Sequence, residues 1–289
     1  MSKVKVAAIQ MRCVRNINVN IEKAESLVRE AASNGANIIL LQEFFENVYF
    51  CQKEKLAYYN FAKTIKENDG IKHFRQIAKE LNIVLPISFY ERKNNARYNS
   101  VAIIDADGSY MGVYRKSHIP DGPGYEEKFY FNSGDTGFKV FKTKYATIGV
   151  GICWDQWFPE AARIMTLMGA ELLFYPTAIG SEPDGSGTQS KEHWQRCMQG
   201  HAAANIIPVI ASNRIGTEKE DEMQIDFYGS SFMTDEKGKI IAEASEDKEQ
   251  IIYGIYNLKE IDLKRVDWAV FRDRRPDLYS PILTLDGGK

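Results

Sequence analysis

The chain's 289 residues are enough to bury roughly three-quarters of the surface it would expose unfolded, so a core needs neither a metal nor a disulfide staple. Hydrophobic residues at 44%, charged at 26% and aromatic at 12% exclude a disordered, collagen-like or coiled-coil chain. With 37 basic against 39 acidic residues there is no basic excess to hold a phosphate backbone, so nucleic acid is not an expected partner.

The amino terminus enters an alternating pattern at once, without the apolar core of a signal peptide. No apolar stretch approaches the ~20 residues of a membrane span, and a cytoplasmic location with no membrane partner is expected. Apolar runs at Val4 to Ile9 and Asn37 to Leu41 read as strands buried on both faces. Between them Ile17, Ile21, Ala24, Leu27, Val28 and Ala31 recur at helical steps up to the stop Asn34-Gly35. A second helix is predicted over Ile71 to Leu81, then strands at Ile83 to Phe89 and Ser100 to Ile104. Asp107-Gly108 turns the last of these into Tyr110 to Tyr114.

The second half repeats this grammar, with strand Thr147 to Ile152, helix Pro159 to Met168, strand Leu172 to Tyr175, helix Lys191 to Ala204 and strand Ile207 to Ser212. Gly229 to Met233, Lys239 to Ala242 and Ile251 to Ile255 complete a mixed sheet. Ser181-Glu182-Pro183-Asp184-Gly185-Ser186-Gly187 is the one conspicuous flexible loop. The pattern predicts a single α/β domain over 1–265 and a carboxyl-terminal tail over 266–289.

Chemistry concentrates at three predicted strand ends. Cys153 follows Ile148-Gly149-Val150-Gly151-Ile152, at the carboxyl end of a strand where α/β active sites collect. A cysteine beside a tryptophan ordinarily packs in a core, and it becomes a nucleophile only with a base or a positive charge nearby. Glu43 ends the run Ile38-Ile39-Leu40-Leu41-Gln42, and Lys116 follows Val113-Tyr114-Arg115. Singly, each reads as a solvated charge. Together, thiol, carboxylate and ammonium supply a nucleophile, a general base and an oxyanion stabiliser for acyl transfer. Cys13, Cys51, Cys153 and Cys197 have no zinc or redox spacing and are read as free thiols of a reducing compartment. His118 reads as structural, and His193 and His201 lack acidic neighbours at metal spacing.

Leu40-Leu41-Gln42-Glu43-Phe44, Tyr114-Arg115-Lys116-Ser117-His118-Ile119-Pro120 and Gly149-Val150-Gly151-Ile152-Cys153-Trp154-Asp155 resemble, in order and spacing, the three catalytic blocks of the nitrilase (carbon-nitrogen hydrolase) superfamily. The resemblance implies a four-layer αββα sandwich, a Glu-Lys-Cys triad, no metal or organic cofactor, and a homo-oligomer built from dimers with the tail at a subunit interface. It also implies a second glutamate. Glu127 is preferred to Glu126 because it stands seven residues before Gly134-Asp135, although Ser133 replaces the family's proline.

Longer blocks, including Lys116 to Tyr125, Thr177 to Pro183, His193-Trp194, Gln199 to Ala202 and Ala211 to Gly216, are most similar to the N-carbamoylputrescine amidase branch. That likeness implies a cationic N-carbamoyl amine as substrate, with Glu182 meeting its distal ammonium and Tyr49 and Trp154 walling its aliphatic chain. Branches acting on N-carbamoyl amino acids often place an arginine soon after the nucleophile, whereas this chain has Trp154-Asp155-Gln156-Trp157. The alternatives are a β-ureidopropionase or ω-amidase within the family and, outside catalysis, a binding scaffold with an inert Cys153.

Overall fold

β1 (Lys3–Gln10) directs Val4, Val6 and Ala8 to one buried side and Ala7 and Ile9 to the other. This double burial is why its sequence is an apolar run rather than a polar-apolar alternation. The structure, a computed structural model, describes residues 3–183 and 190–288. β1 pairs in parallel with β2 (Ile38–Leu40), reached through helix α1 (Ile17–Ser33). Asn16 caps α1 by accepting from the backbone N–H groups of Asn18 and Val19. Helix α2 (Asp69–Leu81), capped by Asn68, leads to the antiparallel strands β3 (Leu85–Lys93), β4 (Ala96–Ile104) and β5 (Tyr110–Arg115). A parallel bridge from Ile38 to Val84 joins the two halves of this layer.

After the short helix α3 (Glu127–Tyr130), a six-stranded sheet begins with β6 (Val140–Lys142) and β7 (Thr147–Val150). Helix α4 (Pro159–Leu167) leads to β8 (Leu172–Pro176), and helix α5 (Lys191–Asn205) to β9 (Val209–Ser212). A separate hairpin, β10 (Ile215–Glu220) and β11 (Met223–Tyr228), precedes β12 (Phe232–Thr234) and β13 (Ile240–Glu243). β14 (Gln250–Asn257) returns to pair with β1, and helix α6 (Leu258–Trp268) follows.

The layers are defined by where the side chains go. Val4, Val6, Ile38, Leu40, Val101 and Ile103 of the first sheet meet Ile148, Val150, Leu172, Phe174 and Ile210 of the second in one apolar cluster. The opposite face of the first sheet packs on Ala24, Val28, Phe74 and Ile77 of α1 and α2. That of the second packs on Ala161, Met165, Trp194 and Met198 of α4 and α5. The result is the αββα sandwich expected from the sequence. Truncating a central member such as Leu40 to alanine should cost about 2–5 kcal/mol.

Some boundaries differ from expectation, for local reasons. Gly229 and Ser230 adopt φ of +54° and +56°, so the strand expected from Gly229 begins only at Phe232. The left-handed cap Ile206 and Pro208 delay β9 to Val209. α6 runs across the predicted boundary at 265 and ends at Trp268, after which the tail is largely exposed with two short 3-10 turns. Of the loop Ser181 to Gly187, Asp184 to Gly187 lie outside the described residues.

Candidate active site

The strands of the two sheets end at one place. Glu43 lies just past β2, Lys116 follows β5 directly, and Cys153 opens the 3-10 turn Cys153–Trp157 that succeeds β7. Cys153 has a φ of +40°, a left-handed conformation that costs a non-glycine residue energy. Asp155, fully buried, holds this elbow by accepting from the Ile152 N–H at 2.9 Å. The same carboxylate accepts from the Tyr114 hydroxyl at 2.8 Å, the His118 N–H at 3.0 Å and His118 Nδ1 at 2.7 Å. It therefore ties the nucleophile's turn to the residues flanking Lys116. His118 stacks on Phe158 with ring centroids 3.6 Å apart, in the structural role expected of it.

Lys116 Nζ donates to Glu127 Oε2 at 2.6 Å and to Glu43 Oε1 at 3.1 Å, with all three side chains buried. Burial works against the ammonium, yet Glu127 and Glu43 outweigh it and hold Lys116 protonated across the physiological range. Burial, reinforced by Glu43, raises the Glu127 carboxyl against the pull of Lys116. Burial and then Glu43 raise the Cys153 thiol well above its usual range, against the attraction of Lys116. At rest Cys153 is thus a neutral thiol that needs a base. It donates to Ala178 O at 3.8 Å rather than to Glu43. Contacts to a catalytic base commonly tighten only in the substrate complex.

A cavity of about 400 Å³ opens onto Cys153 and Glu127, walled by Tyr125, Trp154, Trp157 and Ile179 and rimmed by Asp121, Glu182 and His193. Among its described lining residues the formal charges are carboxylates only, with no lysine or arginine. Trp154, 40% exposed, and Glu182 are both among the residues that line this cavity. Tyr49 differs. Its ring is 1% exposed and packs on Tyr125 and Phe227 away from the cavity lining, and its hydroxyl donates to Glu127 Oε1 at 2.8 Å. It supports the Glu127 carboxylate and is not among the residues that line the cavity.

Three further residues were missed in sequence. Asn99, inside β4, donates to Glu43 Oε1 at 2.6 Å; Tyr125 lines the cavity; Arg214 contacts the Glu43 backbone. A buried asparagine in a strand interior is the only one of these with a sequence signal, since it demands a partner. Among the described residues, no group of three His, Cys, Asp or Glu side chains is arranged to hold a metal ion.

This fold and this arrangement of strand ends define a carbon-nitrogen hydrolase. The family's sequence signature matches residues 5–266, and the chain belongs to that family. An N-carbamoylputrescine amidase from Oryza sativa subsp. japonica is 59% identical over 292 aligned positions, covering 100% of this chain and 97% of that protein. A citrullinase from Francisella tularensis is 56% identical, covering 98% and 99%. The crystal structure of a carbon-nitrogen hydrolase from Helicobacter pylori superposes with a TM-score of 0.92 at 36% identity, covering 98% of this chain and 99% of that one.

Proposed function

We propose that the chain hydrolyses N-carbamoylputrescine to putrescine, ammonia and carbon dioxide, a step of polyamine biosynthesis, with Cys153 as nucleophile. The observation that carries this reading is the buried Glu43–Lys116–Glu127 cluster, which meets a cavity at Glu127; that cavity is lined by Cys153, and the formal charges of its described lining residues are those of Asp121, Glu127 and Glu182. Glu43 takes the Sγ proton as sulfur attacks the ureido carbonyl, and Lys116 and the Trp154 backbone N–H receive the oxyanion. Glu43 returns the proton to the departing amine, and putrescine leaves a carbamoyl thioester. Water, deprotonated by Glu43, attacks that thioester. The released thiolate regains its proton from Glu43, and carbamate decays to ammonia and carbon dioxide. Glu127, braced by Tyr49, keeps Lys116 charged and aimed. Trp154 walls the aliphatic chain, and Glu182 and Asp121 face its ammonium.

The citrullinase relative supports a second reading, because citrulline is the same ureido chain with a carboxylate beside its amine. An acidic rim disfavours that carboxylate. Ammonia release from N-carbamoylputrescine, citrulline, N-carbamoyl-β-alanine and α-ketoglutaramate separates the readings. Hydrolysis confined to the carboxylated compounds would overturn the diamine assignment. Preferential alkylation of Cys153 by iodoacetamide, blocked by substrate, is expected, whereas equal labelling of all four cysteines favours a non-catalytic scaffold.

A homo-oligomer with the tail at a subunit interface fits the exposed Leu263, Val266 and Trp268 of α6 and Leu278, Ile282 and Leu283 beyond it. Sedimentation of the whole chain against a truncation at Ala269 tests it. Four free cysteines fit a cytoplasmic location.

A further inference from the structure

Arg214 is fully buried, just before β10, and its guanidinium reaches the backbone of the segment that carries Glu43. Nη2 donates to Glu43 O at 2.8 Å and Phe44 O at 3.0 Å, and Nη1 to Asn47 O at 3.4 Å and Glu218 Oε1 at 2.6 Å. Phe44 has a φ of +49°, so the chain leaving Glu43 makes a turn that a phenylalanine adopts only under constraint. Glu218 contributes more than a counter-charge. Its Oε2 accepts from the Tyr49 N–H, and the Tyr49 hydroxyl ends on Glu127. The Arg214 guanidinium also lies against the rings of Tyr49 and Phe227, at 5.9 and 5.2 Å from their centroids.

We infer that the Arg214–Glu218 pair is a positioning device, one buried clamp that sets both carboxylates flanking Lys116. Arg214 fixes Glu43 through the turn at Phe44, and Glu218 fixes Glu127 through Tyr49. A buried ion pair in a core commonly adds little stability over well-packed apolar side chains. Here its hydrogen bonds go to main-chain atoms of one active-site segment, and a planar fork serves four acceptors in a way an ammonium does not.

The inference rests on the catalytic reading above, and the test keeps the two apart. Arg214→Lys and Glu218→Gln are assayed in the full chain for kcat and KM on N-carbamoylputrescine, for Cys153 alkylation by iodoacetamide, and for folding by circular dichroism. Arg214→Lys should lower kcat about 100-fold, the scale of an ångström misplacement, with KM within threefold. Glu218→Gln, which retains an acceptor for Tyr49, should lose about tenfold in kcat with KM likewise held. A folded Arg214→Lys with kcat within threefold of wild type, or a loss confined to KM, overturns the clamp. If Arg214→Lys does not fold, Glu218→Gln decides by the same criteria, and unfolding of both overturns it by making the pair a requirement of the fold alone. An inactive wild type with an unreactive Cys153 would instead strike the catalytic reading.

Discussion

Asn99 donates its side-chain amide to Glu43 Oε1 at 2.6 Å, the oxygen that also receives Lys116, and Glu43 Oε2 is buried without a hydrogen-bond partner among the described residues. The carboxylate is therefore held by one oxygen and open at the other, the arrangement a base needs to take a proton in one direction. Hydrogen bonds to charged groups contribute about 1.5–3 kcal/mol. Asn99→Ala should lower kcat by roughly 10- to 100-fold while the chain remains folded. Unchanged kcat in a steady-state assay would mean that Lys116 alone aims the carboxylate.

Lys116 neutralises two carboxylates that share its pocket, so its removal has two consequences that separate in a double mutant. Lys116→Met removes an oxyanion donor, worth about 10²–10³ in kcat, and leaves Glu43 and Glu127 facing each other unpaired, at about 3–5 kcal/mol of stability. Adding Glu127→Gln should restore much of the stability, because a single carboxylate remains, and none of the activity. Thermal melts and kcat measured on the wild type and the two variants check this. Recovery of activity in the double variant would show that Lys116 acts only by neutralising Glu127.

Gly134 places its N–H on Lys116 O at 2.8 Å, and a Cβ there would sit 2.2 Å from Arg115 O and 2.7 Å from Lys116 O. These are backbone atoms and cannot swing aside, so Gly134→Ala must displace the main chain that carries Lys116. We expect about 1–3 kcal/mol of destabilisation and at least a tenfold loss of kcat. An alanine variant with wild-type melting and turnover would show that the 133–135 turn can move without Lys116.

Gly134-Asp135 entered the sequence reading only through the family resemblance, as the marker that picks Glu127, while its physical purpose, close backbone approach to Lys116, emerges only in three dimensions. β1, β2 and β8 were legible because both faces are buried and their residues are continuously apolar. Glu43, Lys116 and Cys153 stood out as polar groups ending such runs. The β10–β11 hairpin did not, because its buried positions carry Glu218 and Glu220 beside Ile215, charges matched by the adjacent Arg214 and by the distant Arg15 and Lys55. An inward carboxylate reads as an outward one until its partner is known. The hydrogen bond from Tyr49 to Glu127 is hidden for a related reason, since an aromatic residue announces apolar area and not where its hydroxyl will end.

Glu46, in the turn following Glu43, supplies a pH test independent of catalysis. It is 7% exposed, accepts from Asn68 Nδ2 at 3.3 Å through Oε2, and has no hydrogen-bond partner at Oε1 among the described residues. Burial raises its carboxyl from 4.5 to about 7, with Asn68 opposing and Asp69 adding to the rise. For an acid whose folded-state pKa lies above its unfolded value, the folded chain holds the proton more tightly. The stability it contributes is then complete below about pH 4.5 and is lost as pH rises towards 7. The loss amounts to about 3 kcal/mol at pH 8 and less than about 1 kcal/mol at pH 5. Glu46→Gln cannot ionise, so it should melt several degrees above wild type at pH 8 and close to it at pH 5. A pH-independent difference between the two proteins would show that the Glu46 carboxyl is ionised throughout and has a counter-charge.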